Sequence, residues 1–245
     1  MMHEDTHPLT ADNATAPCGL VLVAAGRGSR FGHERPKQYH LLDDEPVILH
    51  TIRRFHAHPL ISHIVPVIAE DDAYWSTFQA AFDGLPKLLP PVHGGAERQD
   101  SVRHGVEALA AHHLPWVAIH DAARPLIRQT LLDRLLAARE RAEGILAALP
   151  AHDTVKQVDE SGFIARTLDR STLWLAQTPQ LFPTQMILDL HQQAKQEGFC
   201  GTDDASIFEW AGKRVLPIEG DPHLLKITQP EDIETVRALL KREQG

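Results

Sequence analysis

The chain has 245 residues, of which 43% are hydrophobic and 23% charged, a balance that suits a globular protein of one large domain or at most two small ones. Its formal net charge of −9 argues against general attraction to nucleic acid or to an acidic membrane, so an anionic ligand would need a local cluster of cations. Two cysteines cannot build a disulfide framework and point to a reducing cytoplasm, and no apolar run has the length of a membrane-spanning helix.

Residues 1–17 are polar and proline-flanked and are expected to form a disordered extension, leaving 18–243 as a single domain. The apolar run 20–24 predicts a buried strand that leads straight into a glycine-rich loop. Ile48, Ile52 and Phe55 recur at helical spacing, and the β-branched run 64–68 predicts a second parallel strand. Gly94 and Gly95 precede a helix over 99–111. Strands are expected at 116–119 and 145–149. Between them lies a helix with an apolar stripe of Leu131, Leu132, Leu135 and Leu136, and its Thr130 and Asp133 match a capping box. Two extended runs, 154–158 and 163–167, flank the turn residues Asp159, Glu160, Ser161 and Gly162 and predict an inserted β-hairpin at about 152–170, either a solvated flap or an arm that reaches a second subunit. Lys226 stands inside a strand-like apolar run, and Thr228, Pro230 and Glu231 mark a last helix that ends at about Arg242. The alternation predicts a three-layer α/β domain with a mostly parallel sheet and an inserted β-hairpin arm.

Residues 20–39 read LVLVAAGRGSRFGHERPKQY. Gly26 and Gly28 let backbone N–H groups come close to an anion, and Arg27, Arg30, Arg35 and Lys37 surround the loop with positive charge. No Gly-Lys-Ser/Thr ending completes a Walker A loop, and Gly26, Gly28 and Gly32 give G-x-G-x-x-x-G instead of the dinucleotide fingerprint. The plainer reading of this loop is a turn with solvated arginines. The strand at 116–119 runs into His120-Asp121-Ala122-Ala123-Arg124-Pro125, which puts Asp121 and Arg124 at the carboxyl edge of the sheet, where open α/β folds bind ligands. There Asp121 would hold a ribose hydroxyl or Mg²⁺ and Arg124 a phosphate, or the two would simply lock the loop. Lys226 needs an anionic partner or guards an edge strand. Gly94 and Gly95 admit a planar base or form an ordinary loop. The sixteen histidines are scattered without metal-ligand spacing.

In order along the chain, these motifs resemble the 2-C-methyl-D-erythritol 4-phosphate cytidylyltransferase family of non-mevalonate isoprenoid biosynthesis, from Gly19 to about Arg242. The most specific are A-A-G-R-G-S-R at 24–30, P-K-Q-Y at 36–39 and H-D-A-A-R-P at 120–125. They are accompanied by D-T at 153–154, D-R at 169–170, T-P-Q at 178–180, T-D-D-A-S at 202–206 and K-I-T at 226–228. The resemblance implies a Rossmann-like nucleotidyltransferase fold and a Mg²⁺-dependent reaction of CTP with methylerythritol 4-phosphate, giving the CDP-linked product and pyrophosphate. It implies that Arg30 and Lys37 hold the triphosphate and stabilise the transition state. Arg170 and Lys226 would position the methylerythritol phosphate, with Arg124, Thr154 and Thr178 helping to bind it. The nucleotide would lie on Ala24, Ala25, Gly26, Gly28, Gly95 and Ser101, with Asp121 near the ribose and the metal. The family also implies a homodimer with exchanged arms, so that Thr154 and Arg170 serve the neighbouring subunit's site.

Two features depart from the family pattern. Leu224 stands where a polar residue, usually Asn, is common, so that one hydrogen bond of the site is missing or comes from His223. The tail to Pro17 has no counterpart in the core fold. A ribitol 5-phosphate cytidylyltransferase and a non-catalytic nucleotide-binding module are the alternative readings.

Overall fold

The computed structural model describes residues 15–26, 31 and 35–244. The first strand, β1 (Cys18–Val23), alternates its side chains between two cores, as the pleat requires. Leu20 and Leu22 face one layer of helices and Val21 faces the other. After a short 3₁₀ turn at Lys37–Tyr39, a small hairpin of β2 (Leu41–Leu42) and β3 (Glu45–Pro46) leads into α1 (Val47–His56). The predicted stripe of α1 is real: Ile48, Ile52 and Phe55 are buried against β1 and β4 (Ile61–Ile68). A one-turn α2 (Gln79–Phe82) and the short β5 (Val92–His93) precede α3 (Arg98–Ala110) and β6 (Trp116–Asp121).

The second half begins with α4 (Gln129–Ala137) and β7 (Gly144–Pro150). The expected arm follows as a separate two-stranded ribbon of β8 (Lys156–Val158) and β9 (Ile164–Thr167). The chain returns along β10 (Trp174–Pro183) and continues through α5 (Thr184–Glu197), α6 (Asp204–Trp210), β11 (Val215–Glu219) and α7 (Pro230–Gln244). Gly198 ends α5 at φ +69°, a left-handed position where a Cβ would be strained.

Seven strands form the central sheet in the order β11-β7-β10-β6-β1-β4-β5. All neighbours are parallel except those of β10, which runs antiparallel to both β6 and β7. One face carries α1 and α4, and the other carries α3, α5 and α6. A third apolar cluster packs α7 against Ala123, Leu126 and Ile227. The α/β fold with a mostly parallel sheet is therefore as the sequence predicts.

Local expectations fail at two points. The capping box at Thr130 and Asp133 does not form, because α4 already begins at Gln129 and the Asp133 carboxylate pairs with His58 Nε2 at 3.1 Å. Lys226 does not lie in a strand: the segment 224–228 is extended loop, tied by Ile227 N–H donating to the Ala123 carbonyl at 2.9 Å. The last helix starts where expected, at Pro230, and the Asp232 carboxylate ties that start by accepting from the Thr228 and Gln229 N–H groups and from the Thr228 hydroxyl.

Candidate functional site

The strands β1 and β6 are parallel neighbours whose last residues, Val23 and Asp121, stand in register. The sheet continues from β1 towards β4 on one side and from β6 towards β10 on the other, so the loops leaving β1 and β6 part company. An open α/β sheet binds ligands in the crevice such a divergence leaves. Here the crevice is a cleft of about 500 Å³ between the segment 24–26, the turn at Lys37 and Gln38, the segment 95–98, Asp121 and Lys226.

One wall is backbone. Gln38 is buried, and its side-chain amide donates to the carbonyls of Ala24 at 2.6 Å and Gly26 at 3.3 Å, which fixes the first residues after β1. Opposite them, the Ser101 hydroxyl accepts the Gly95 N–H at 3.1 Å and donates to the Glu97 carbonyl at 3.2 Å. A Cβ on Gly94 would lie 2.6 Å from both the Ala25 Cβ and the Ser101 Oγ, so only glycine lets these two walls approach so closely. Ala24, Ala25, Gly26, Gly95 and Ser101 are thus brought together. Tyr39 donates to the Asp72 carboxylate at 2.8 Å and anchors the turn that carries Lys37 to the cleft.

The other wall is charged. Asp121 is buried at the end of β6, with Lys226 Nζ at 2.8 Å, Arg124 Nε at 3.5 Å and Arg98 Nε at 4.0 Å from its carboxylate oxygens. Burial alone would raise its carboxyl, but Lys226, Arg98 and Arg124 outweigh that and hold it well below the usual carboxylate range. Arg124 is itself anchored by a 2.9 Å hydrogen bond to the Leu224 carbonyl.

Behind Asp121 lies a buried relay. The His120 imidazole is fully enclosed, and burial pushes it down to about 4. Its Nε2 lies 3.1 Å from the Arg124 carbonyl, which can only accept, so Nε2 carries the proton. Nδ1 then accepts the Thr178 hydroxyl at 3.0 Å, and Thr178 in turn accepts the Asp121 N–H at 3.2 Å. Thr178 therefore works from behind, holding the backbone of Asp121, and it does not line the cleft.

Of the other expected site residues, Thr154 and Arg170 sit exposed at the base of the arm and do not line this chain's cleft; Arg170 donates to the His152 carbonyl. Gly28 and Arg30, with Arg27, lie outside the described residues. The Leu224 side chain fills the core, and His223 faces Asp221 and Arg128, so neither supplies a polar side chain to the cleft. Sequence reading missed Arg98, a cation of the cleft wall that opens α3. Among the described residues no three His, Cys, Asp or Glu side chains gather around a common point. The donor set is one buried carboxylate, Asp121. That fits Mg²⁺, which takes one or two carboxylates and leaves its remaining positions to phosphate and water.

A switch-point cleft with a backbone wall and a carboxylate ringed by cations defines an α/β protein built for a phosphorylated, nucleotide-like ligand. Residues 18–242 match the family model described as 2-C-methyl-D-erythritol 4-phosphate cytidylyltransferase. The chain is 44% identical over 223 residues to the enzyme of that name from Syntrophotalea carbinolica, covering 90% of this chain and 95% of the relative. It is 43% identical over 227 residues to the bifunctional enzyme IspD/IspF of Bradyrhizobium diazoefficiens, covering 92% of this chain but 56% of that protein. It thus spans little more than half the length of the bifunctional relatives it matches. A crystal structure of a 4-diphosphocytidyl-2C-methyl-D-erythritol synthase superposes with a TM-score of 0.77 at 36% identity, covering 92% of this chain and 98% of that one. The chain belongs to the 2-C-methyl-D-erythritol 4-phosphate cytidylyltransferase family.

Proposed function

We propose that this protein transfers the cytidylyl group of CTP to the phosphate of 2-C-methyl-D-erythritol 4-phosphate. The observation that carries the reading is the meeting, in one cleft, of a backbone-walled recess at Ala24, Ala25, Gly26, Gly95 and Ser101 with the cations Lys37, Arg98 and Lys226. The recess suits a planar base and the cations suit its phosphates.

The reaction joins a phosphate-monoester oxygen of the acceptor to the α-phosphorus of CTP and breaks the bond from that phosphorus to the bridging oxygen, so that pyrophosphate leaves with the bonding pair. A phosphate monoester is already a nucleophile at neutral pH and needs no general base. What opposes the step is repulsion between anions and the charge that gathers at the α-phosphorus, which preorganised cations relieve. Lys37, together with Arg30, holds the triphosphate. Lys226 on the Asp121 side receives the acceptor phosphate, Arg124 adds positive charge from beside Asp121 without lining the cleft, and His120 and Thr178 keep the Asp121 backbone in place. Mg²⁺, held by Asp121 and the nucleotide phosphates, would supply further charge neutralisation.

The acceptor site is completed by Thr154 and Arg170 of a second subunit. Support comes from the arm, which carries Phe163 at 73% and Ile164 at 64% exposure in this chain, apolar surface that a partner would cover. Free cysteines at 18 and 200 suit a cytoplasmic setting, and among the described residues no helix is long and apolar enough to cross a membrane.

The test is pyrophosphate release from Mg²⁺ and CTP with each candidate acceptor. Release with methylerythritol 4-phosphate supports the proposal. Release with ribitol 5-phosphate alone would move the protein to a different acceptor, and CTP binding without turnover of either would make it a binding module.

A further inference from the structure

The T-D-D-A-S segment at 202–206 contributes nothing that lines the cleft, yet it contains one of the most deeply buried carboxylates of the described residues. The Asp204 side chain is 1% exposed, at the start of α6. A carboxylate placed so deeply is costly unless a cation meets it. His191 of α5, also fully buried, does not: its Nε2 lies 3.9 Å from Asp204 Oδ1, both ring nitrogens and that oxygen lack hydrogen-bond partners, and burial drives the imidazole towards its neutral form. Arg98 does. Its Nη2 donates to Asp204 Oδ2 at 2.7 Å, while its Nε edge faces Asp121 at 4.0 Å.

The carboxylate is held firmly in turn. Asp203 caps α6 by accepting the Ser206 N–H at 2.9 Å, and the Gln180 side chain of β10 accepts the Ala205 N–H at 2.9 Å and donates to Asp203 at 2.8 Å. A rigid strand therefore fixes α6, α6 fixes Asp204, and Asp204 fixes a guanidinium that would otherwise have several rotatable bonds at the cleft wall.

We infer that Asp204 is a positioning residue for the nucleotide: by occupying one edge of the Arg98 guanidinium, it holds the other edge on the nucleotide side of Asp121. The inference rests on the reading of the cleft as the CTP site. Asp204 touches no substrate and acts through Arg98 alone.

The test compares wild type, Asp204→Asn, Arg98→Ala and the double variant, varying CTP and acceptor separately and measuring CTP binding by calorimetry. Asp204→Asn keeps the shape and loses the charge, so KM for CTP and the CTP dissociation constant should rise about tenfold, the scale of one charge-assisted hydrogen bond. The KM for the acceptor should not move. In the Arg98→Ala background the same change should add nothing further for CTP. A purely structural role would lower the melting temperature and leave CTP affinity unchanged, or would cost as much with Arg98 absent as with it present; either result overturns the inference. Should Asp204→Asn fail to fold, Arg98→Lys keeps the charge but lacks the fork, and it must show the same CTP-selective loss; unchanged CTP affinity there overturns the inference equally. If the wild type itself neither binds CTP nor releases pyrophosphate, the reading of the cleft falls first, and that outcome is distinct from a failure of Asp204 alone.

Discussion

The enclosed His120 imidazole makes a pH-dependent stability that can be worked out in advance. The ordinary value is 6.5, and burial lowers it to about 4 in the folded chain. Between those values the unfolded chain takes up a proton that the folded chain refuses. The stabilisation is therefore complete above pH 6.5, is lost as pH falls through the window, and levels off below the folded value. At 1.36 kcal/mol per pH unit the whole gap is worth about 3 kcal/mol, and about 2 kcal/mol of it should be gone by about pH 5. The perturbation is His120→Gln, whose side-chain amide can still donate to the Arg124 carbonyl but does not titrate. Urea unfolding followed by tryptophan fluorescence at about pH 7.5 and about pH 5 should show the wild type losing about 2 kcal/mol more than the variant. Equal losses in the two proteins would refute the reasoning, since every other titrating group is common to both.

Two further outcomes follow from the cleft and the arm. Lys37→Ala should lower kcat by about 10²–10³ without changing the unfolding midpoint, the scale of one lost preorganised electrostatic contact; near-normal turnover at saturating substrates would remove Lys37 from the triphosphate site. For the proposed dimer, replacing the exposed Phe163 and Ile164 by Asp should leave this chain's own core untouched and give a monomer by sedimentation with sharply reduced turnover; a dimer that survives the change would show that the arm does not mediate association.

Where side-chain period and motif coincide, the sequence was an adequate guide. The buried strand β1, the stripe of α1 and the turn of the arm each depend on near neighbours, and each formed as expected. The strand β10 was hidden because its middle, Gln177-Thr178-Pro179-Gln180, is polar and carries a proline, which reads as a loop. In the fold those polar side chains are buried and paired: Gln177 with the backbone of Asp221, Thr178 with His120, Gln180 with the cap of α6. Arg98 was hidden for a similar reason. An arginine opening a polar helix looks like a solvated face, and only Asp204, 106 residues further on, turns it inward. Thr178 is expected to help bind the substrate, but its hydroxyl is occupied behind Asp121, between the His120 ring and the Asp121 N–H. Arg98, Asp204 and Thr178 all owe their placement to partners remote in sequence, which local patterns cannot report.

The segment 224–228 has a consequence for how the protein comes into being. Arg124 waits for the Leu224 carbonyl 100 residues later, Ala123 for the Ile227 N–H, and Asp121 for the ammonium of Lys226. During synthesis from the N-terminus, β1, β4 and β6 can pair long before that segment leaves the ribosome. Through that interval the nascent sheet carries the Asp121 carboxylate without its nearest cation. This late loop therefore both closes the cleft and settles the charge of the strand beneath it, and a chain halted before residue 224 would hold a sheet with an unfinished floor.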